Sequence, residues 1–184
     1  MKMARFHAGG AQKERLGIVT LQQGREVLLD VAKAAMARGG NATAPTNMMA
    51  LIEGGVPAME GVRELLAWAN AGQDPAWLED PDQVAWLTPV PPRSMFCAGR
   101  NFGRHKMESA KGNLTATSKL HSDFPTGFTK IGRTLVPHLA KVARPVDVTQ
   151  LDYEVEVALV IGKAIDAHSK DLALAHGNAA MQLR

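Results

Sequence analysis

Short apolar runs that alternate with polar residues dominate the first thirty or so positions of the chain. Met3–Phe6, Leu16–Thr20 and Glu26–Leu29 each have the length and composition typical of a β-strand. The last two runs are separated by Gln22-Gln23-Gly24, in which the glycine favours a tight reversal of the chain. The pattern therefore predicts an N-terminal group of strands that contains a hairpin.

The pattern becomes helical after the third strand. Asp30 is suited to cap a helix over Val31–Arg38, because its carboxylate can accept hydrogen bonds from the first free N–H groups. Thr46 is suited in the same way to cap a helix over Asn47–Glu53, and a pair of glycines after each helix predicts its end. Apolar residues at helical spacing in Pro57–Asn70 predict a third helix.

The second half of the chain has shorter and less regular patterns. Ser94–Ala98 predicts a short buried strand, and Phe102–Lys111 predicts a helix. Phe128–Ile131 and Leu135–Val136 predict further pieces of strand. Gly112–Pro125 is polar and irregular, which is typical of a surface loop.

A proline- and aspartate-rich stretch, Gly72–Asp82, separates the two halves and predicts a linker. We therefore predict an α+β protein with two domains. The first is a small N-terminal α+β domain over residues 1–80, and the second covers residues 84–184.

The stretch Leu151–Gly162 reads LDYEVEVALVIG and predicts a strand that carries two acids. On a strand Glu154 and Glu156 point to the same face, roughly 6.5–7 Å apart along the chain. Two like charges on an otherwise apolar strand are costly to bury unless a cation or hydrogen bonds compensate them, and the simplest compensation is a hard divalent ion such as Mg²⁺, Mn²⁺ or Ca²⁺, which prefers oxygen ligands. Taken alone, the spacing favours instead two solvated glutamates at the exposed end of an edge strand.

His105 and Glu108 are three residues apart in the predicted helix, so they share a face and can hydrogen-bond. A carboxylate that orients an imidazole raises its basicity, which suits a general base that takes a proton from water. Without further context, an exposed polar pair on a surface helix explains the spacing better.

Two cations are candidates for binding an anionic substrate. Arg100 lies in Gly99-Arg100-Asn101, where a guanidinium fork beside a glycine can hold a carboxylate, although an ordinary turn explains the sequence as well. Lys130 follows Phe128-Thr129 on a predicted strand, where it either binds a substrate carboxylate or is exposed to solvent.

Composition narrows the classes of function. The net charge is only +3 and the basic residues are scattered, so nucleic-acid binding has little support. No apolar run approaches the length of about 20 residues that a membrane span needs, and the N-terminus lacks a signal-peptide core. The single cysteine, Cys97, excludes an internal disulfide. A cytoplasmic protein without a membrane or nucleic-acid partner is the expectation.

Six short strings follow one another along the second half of the chain. They are WLTPVPP at Trp86–Pro92, FCAGRNF at Phe96–Phe102, HxxE at His105–Glu108, FTK at Phe128–Lys130, RP at Arg144–Pro145 and LDYEVEVALVIG at Leu151–Gly162. In this order and spacing they resemble the fumarylacetoacetate hydrolase family over about residues 84–166. The preceding residues are similar to the small N-terminal domain that many bacterial members carry.

The resemblance implies a role for several of these residues. Glu154 and Glu156 match two of the three carboxylates that hold a catalytic Mg²⁺ or Mn²⁺ in the family. His105 and Glu108 match a dyad on a lid segment that activates water in the hydrolytic members. Lys130 falls in a motif near the substrate site.

The resemblance also implies a β-rich, barrel-like roll for the second domain, and a homodimer. The implied function is metal-dependent hydrolysis of a C–C bond in acylpyruvates or fumarylacetoacetate-like 2-oxo acids. Relatives isomerise or decarboxylate similar compounds, so an isomerase or decarboxylase is an alternative.

The family continues beyond this strand through a segment that supplies the third metal-binding carboxylate. The last residues of this chain do not match that segment. The expectation is therefore a C-terminally truncated member with an incomplete second domain and weak or no activity, so whether the chain is an enzyme is left open. A non-catalytic binding or interaction domain is the remaining alternative.

Overall fold

The computed structural model describes residues 1–10, 12–40, 44–72, 75–99, 104, 107, 126–153 and 155–163. The chain falls into two compact units, one made of Met1–Val90 with Val136–Arg184 and the other of Pro91–Leu135. Each unit contains one of the two sheets that the described residues form.

Three consecutive antiparallel strands form the centre of the sheet in the first unit. They are β1 (Lys2–Ala8), β2 (Arg15–Gln22) and β3 (Arg25–Asp30), and they confirm the three strands predicted in this region. The β2–β3 turn consists of Gln23 and Gly24, whose φ angles of 50° and 80° are both positive. Two positive φ angles in a two-residue loop match the right-handed twist of the flanking strands, so the predicted hairpin is confirmed.

Two short strands complete this sheet at its edges. β4 (Leu78–Glu79) pairs with β3 and β5 (Val84–Trp86) pairs with β1, which gives the order β4-β3-β2-β1-β5. The prediction of a linker over Gly72–Asp82 is wrong, because β4 and the buried Trp77 belong to this unit. The gain from burying an indole outweighs the local preference of prolines and aspartates for an open loop.

Helix α1 (Val31–Ala37) begins where the sequence predicts. The Asp30 carboxylate accepts hydrogen bonds from the backbone N–H groups of Ala32 and Lys33 at 3.0 and 3.1 Å. Asp30 is fully buried, and its other oxygen accepts a hydrogen bond from the Arg15 guanidinium at 2.8 Å. The cap therefore also joins the helix to strand β2.

The next helical region, α2 (Met48–Gly72), is interrupted at Gly55, whose φ of 57° and ψ of −138° are not helical. The prediction of two helices separated by glycines is therefore confirmed. The predicted Thr46 cap is wrong, since the Asn47 side chain accepts the hydrogen bond from the Ala50 N–H, at 2.9 Å. Both residue types are suitable caps, and the register of the helix decides between them.

The five-stranded sheet carries an apolar cluster on each side, because successive residues of a strand face opposite directions. One cluster packs against the helices, and its members from the three central strands are Met3, Leu16, Ile18 and Leu29. The buried members of the other cluster are Ala4, Phe6, Val19 and Leu28.

Gly17 lies within β2 at a point where a larger residue does not fit. A Cβ atom at this position would lie 2.5 Å from Leu28 Cδ1 and 3.0 Å from Phe6 Cε1. Both neighbours are fully buried, so neither side chain has space to withdraw. Close packing, rather than a turn, accounts for this glycine.

The buried Arg5 side chain holds two connecting segments of the chain against the sheet through hydrogen bonds. Its Nε and Nη2 atoms donate hydrogen bonds to the Glu14 carboxylate at 2.8 and 2.7 Å, and Nη1 donates to the Thr88 backbone oxygen at 2.7 Å. The paired contact fixes the residue that precedes β2, and the third contact fixes the chain that follows β5.

The second unit contains a two-stranded antiparallel ribbon, formed by β6 (Met95–Ala98) and β7 (Gly127–Lys130). Both strands were predicted, although the ribbon is half-buried to exposed rather than buried. Leu135–Val136 is not a strand. In the predicted helix over Phe102–Lys111, the two described residues are helical, and the others lie outside the described residues.

The strand predicted over Leu151–Gly162 is not formed by its described residues. Residues 151–153 and 155–162 have no regular secondary structure, and most are exposed. Backbone N–H and C=O groups of a strand need a neighbouring strand, and no described segment pairs with this stretch. We refer to residues 151–163 as the exposed stretch.

The described chain thus combines helices and strands, as the α+β prediction requires. The barrel-like roll and the division into residues 1–80 and 84–184 stay predictions. None of the helices in the described ranges has both the length and the apolar character that crossing a membrane requires.

Candidate functional site

Two of the six predicted site residues belong to the described part of the chain. They are Lys130, on β7 in the second unit, and Glu156, in the exposed stretch of the first unit. The other four are Arg100, His105, Glu108 and Glu154, and they lie outside the described residues.

Lys130 is the last residue of β7, and the strand register fixes its neighbours. Residues opposite each other in an antiparallel pair share a face, and here Lys130 is opposite Met95 while Phe128 is opposite Cys97. One face of the ribbon therefore carries two uncharged side chains from β6 beside Phe128 and Lys130. The Lys130 ammonium lies 5.6 Å from the centre of the Phe128 ring, within the range of a cation–π interaction.

The opposite face of the ribbon is held by an aromatic ring over a glycine. A Cβ atom at position 127 would overlap the Phe96 ring, so Gly127 allows the ring to lie close to the backbone. At the end of the ribbon, the Gly99 N–H donates to the Thr126 oxygen at 2.9 Å, and the Thr126 hydroxyl donates back to the Gly99 oxygen. These contacts order the end of the ribbon opposite to Lys130.

Phe128 is not identified when only charged and nucleophilic side chains are considered as site residues. The signal that identifies it is its spacing of two from Lys130, which puts both side chains on the same face of a strand. Phe128 remains half-exposed, at 50%, so the ring and the ammonium are both accessible to a ligand.

Glu156 is exposed, and the exposed stretch has no strand geometry to align its carboxylate with a second one. Carboxylate oxygens nevertheless have the donor chemistry that Mg²⁺ and Mn²⁺ require. Among the described residues, no three His, Cys, Asp or Glu side chains are grouped closely enough to hold a metal ion. The carboxylate oxygens of the predicted ligands fit a hard divalent ion.

A shallow depression in the first unit is lined by residues of strands β1 and β5 and of the β1–β2 and β4–β5 connections. The lining residues are His7, Gly10, Gln12, Asp82, Gln83, Val84 and Ala85. None of the six predicted site residues belongs to this set, so we do not assign the depression to the predicted site.

A comparison with protein families gives an independent result. Residues 94–176 match the model described as the fumarylacetoacetate (FAA) hydrolase C-terminal domain. This range contains all six predicted site residues.

Two characterised proteins are similar to most of the chain. The oxaloacetate tautomerase YisK of Bacillus subtilis is 30% identical over 157 residues, which are 82% of this chain and 50% of the relative. The mitochondrial oxaloacetate tautomerase Fahd2a of Rattus norvegicus is 27% identical over 164 residues, which are 89% of this chain and 45% of the relative. The chain therefore spans about half the length of these two relatives.

Proposed function

Given that the chain belongs to the fumarylacetoacetate hydrolase family, we propose that it acts on 2-oxo acids with the help of a divalent metal ion. The observation that carries this proposal is that residues 94–176, which include the six predicted site residues, match the family model, while two oxaloacetate tautomerases are similar to most of the chain. The leading reaction is hydrolysis of a C–C bond in an acylpyruvate-like acid.

Each predicted site residue would have a separate role in this reaction. Glu154 and Glu156 would hold Mg²⁺ or Mn²⁺, and the ion would stabilise the negative charge that develops on the 2-oxo oxygen. The His105 imidazole, oriented by Glu108, would take a proton from water. Arg100 and Lys130 would bind the substrate carboxylate by charge-assisted hydrogen bonds.

Tautomerisation is the second candidate reaction, and the names of both relatives favour it. Both reactions pass through an enolate, in which the carbon beside the 2-oxo group shares negative charge with the 2-oxo oxygen, so both would use the same ion and the same carboxylate-binding cations. They differ in the need for a water nucleophile, which only hydrolysis uses. His105 and Glu108 are therefore the residues that distinguish the two reactions.

The test measures both reactions with the purified chain and Mg²⁺ or Mn²⁺. Cleavage of acetylpyruvate reports hydrolysis, and the decay of enol absorbance in oxaloacetate reports tautomerisation. Glu156→Gln is expected to abolish either activity, whereas Glu60→Gln, the same change at an exposed helical position, should not. Loss of cleavage with retained tautomerisation in His105→Ala would support the assigned role of that residue.

The non-catalytic alternative makes a different prediction for the same samples. If neither substrate is turned over and Mn²⁺ causes no shift in the melting temperature, the chain is a binding or interaction domain and the enzymatic proposal is wrong. Sedimentation equilibrium of the same preparation tests the proposed homodimer.

A further inference from the structure

We propose that Phe128 is a positioning residue that holds the Lys130 ammonium ready for a substrate carboxylate. This inference rests on the proposed function, because it concerns how the same site binds the carboxylate of a 2-oxo acid. It adds a residue that has no charge and takes no part in proton transfer.

The geometry of β7 brings the two side chains together. Phe128 and Lys130 are two residues apart on one strand and share a face, and the ammonium lies 5.6 Å from the ring centre. Across the ribbon they oppose Cys97 and Met95, neither of which carries a charge. Among the ion pairs formed within the described ranges, none involves Lys130.

An exposed lysine normally samples many rotamers, and ordering it when a ligand binds costs side-chain entropy. A ring that attracts the ammonium reduces this cost before the ligand arrives. Because the ring occupies only one side of the ammonium, N–H groups remain free to donate to a carboxylate. A carboxylate partner would order the lysine too, but it would also compete with the substrate.

The opposite face of the ribbon provides a matched control. Phe96 is also an exposed aromatic residue, at 72%, and it packs over Gly127 rather than beside Lys130. Phe96→Leu and Phe128→Leu remove the same ring from the same ribbon. Only the second change removes the contact with the ammonium.

The experiment measures the Kd of oxalate, a stable analogue of a 2-oxo acid, by calorimetry in the presence of Mn²⁺. We expect Phe128→Leu to raise the Kd by between about two- and five-fold, which is the size of one exposed cation–π interaction. Phe128→Tyr should restore the Kd, and Phe96→Leu should leave it unchanged. Lys130→Met should raise the Kd at least as much as Phe128→Leu.

A second measurement reports the contact itself. The ring should shift the NMR signals of the Lys130 side-chain methylene protons upfield, and Phe128→Leu should abolish this shift while Phe96→Leu preserves it. If Lys130→Met weakens oxalate binding but Phe128→Leu does not, the positioning role is wrong and the proposed function stands. If the unmodified protein does not bind oxalate at all, the proposed function fails and this inference fails with it.

Discussion

Strand β2 and the exposed stretch have the same alternation of apolar positions in sequence, yet they differ in structure. Leu16 and Ile18 of β2 are fully buried, whereas Val155 and Val157 of the exposed stretch are each 90% exposed. β2 is flanked by β1 and β3, and the described residues provide no strand on either side of the exposed stretch. The alternation therefore indicates which side chains would share one face of a strand. Whether the strand forms depends on neighbouring strands that pair with it.

The difference has a physical cause in the backbone. A single extended segment leaves its N–H and C=O groups to water, so it gains nothing from adopting strand geometry alone. In β2, pairing on both sides satisfies these groups and lets the apolar side chains pack against α1 and α2. An apolar segment without pairing is also a site at which copies of a protein aggregate.

The largest test of this comparison truncates one apolar side chain in each region. Leu16→Ala should lower the free energy of unfolding by about 2–5 kcal/mol, because it leaves a cavity in a packed cluster. Val157→Ala should change the free energy of unfolding by less than about 0.5 kcal/mol, because this side chain is already exposed to solvent. Urea denaturation measures both. A cost above about 1 kcal/mol for Val157→Ala would mean that the exposed stretch is packed in solution.

The next test adds a methyl group instead of removing one. Gly17→Ala should cost about 1–3 kcal/mol, since the new Cβ would lie 2.5 Å from the buried Leu28 side chain. Gly72→Ala, at the end of α2, is the control, because its Cβ would make ordinary contacts of 3.6 Å with Trp77. We expect Gly72→Ala to be neutral or slightly stabilising. Equal losses for both variants would contradict the packing argument for Gly17.

The elements that the sequence predicts correctly are those specified by residues close to one another in the chain. The hairpin at Gln23-Gly24, the Asp30 cap and the break at Gly55 each depend on residues a few positions apart, and all three are confirmed. β4 and β5 depend on pairing with β3 and β1, which lie about fifty to eighty positions earlier in the chain. No local pattern contains that information, so the proline-rich stretch before them resembles a linker.

The candidate site shows the same difference between features that depend on nearby residues and features that depend on distant strand partners. The FTK motif marks Lys130, and the strand on which it lies is confirmed. The pairing of Lys130 with Phe128 follows from strand geometry rather than from any catalytic motif. For Glu156, the sequence predicts a strand that requires partners, and the described chain does not provide them. Its role as a metal ligand stays a prediction.

A third, smaller test concerns backbone strain at another exposed residue, Leu139. Leu139 has a φ of 62°, a left-handed conformation that is unfavourable for a residue with a Cβ atom, and its side chain is exposed. Leu139→Gly should therefore stabilise the protein by about 0.5–1 kcal/mol, despite the greater freedom of glycine in the unfolded chain. Thermal unfolding measures the change.

The control for this test is a leucine with an ordinary backbone. Leu135 has a φ of −76° and ψ of 131° and is half-buried, so Leu135→Gly should destabilise the protein by at least about 0.5–1 kcal/mol. Opposite signs for the two substitutions would show that the left-handed turn at Leu139 persists in solution. Destabilisation by both would mean that Leu139 makes packing contacts that outweigh its strain.

The smallest expected effect is a dependence of stability on pH in the well-packed region. The hydrogen bond from Arg5 and, to a lesser extent, the attraction of its charge hold the pKa of Glu14 below its usual value of 4.5, although partial burial opposes this. Between the lowered pKa and the usual value, the unfolded chain binds more protons than the folded one, so stability rises with pH there. The contribution is complete above about pH 4.5 and is lost as the pH falls through the lowered pKa.

The stability difference between the unmodified protein and Glu14→Gln should therefore be largest near neutral pH and shrink below about pH 4.5. The Glu14 side chain is 31% exposed, so solvent screening keeps the effect modest. Urea denaturation of both proteins across this range measures it. Glu156→Gln is the control from the exposed stretch, and at pH 7 it should change the free energy of unfolding by less than about 0.5 kcal/mol. A Glu14→Gln difference that does not depend on pH would mean that the Arg5–Glu14 contact stabilises through packing rather than charge.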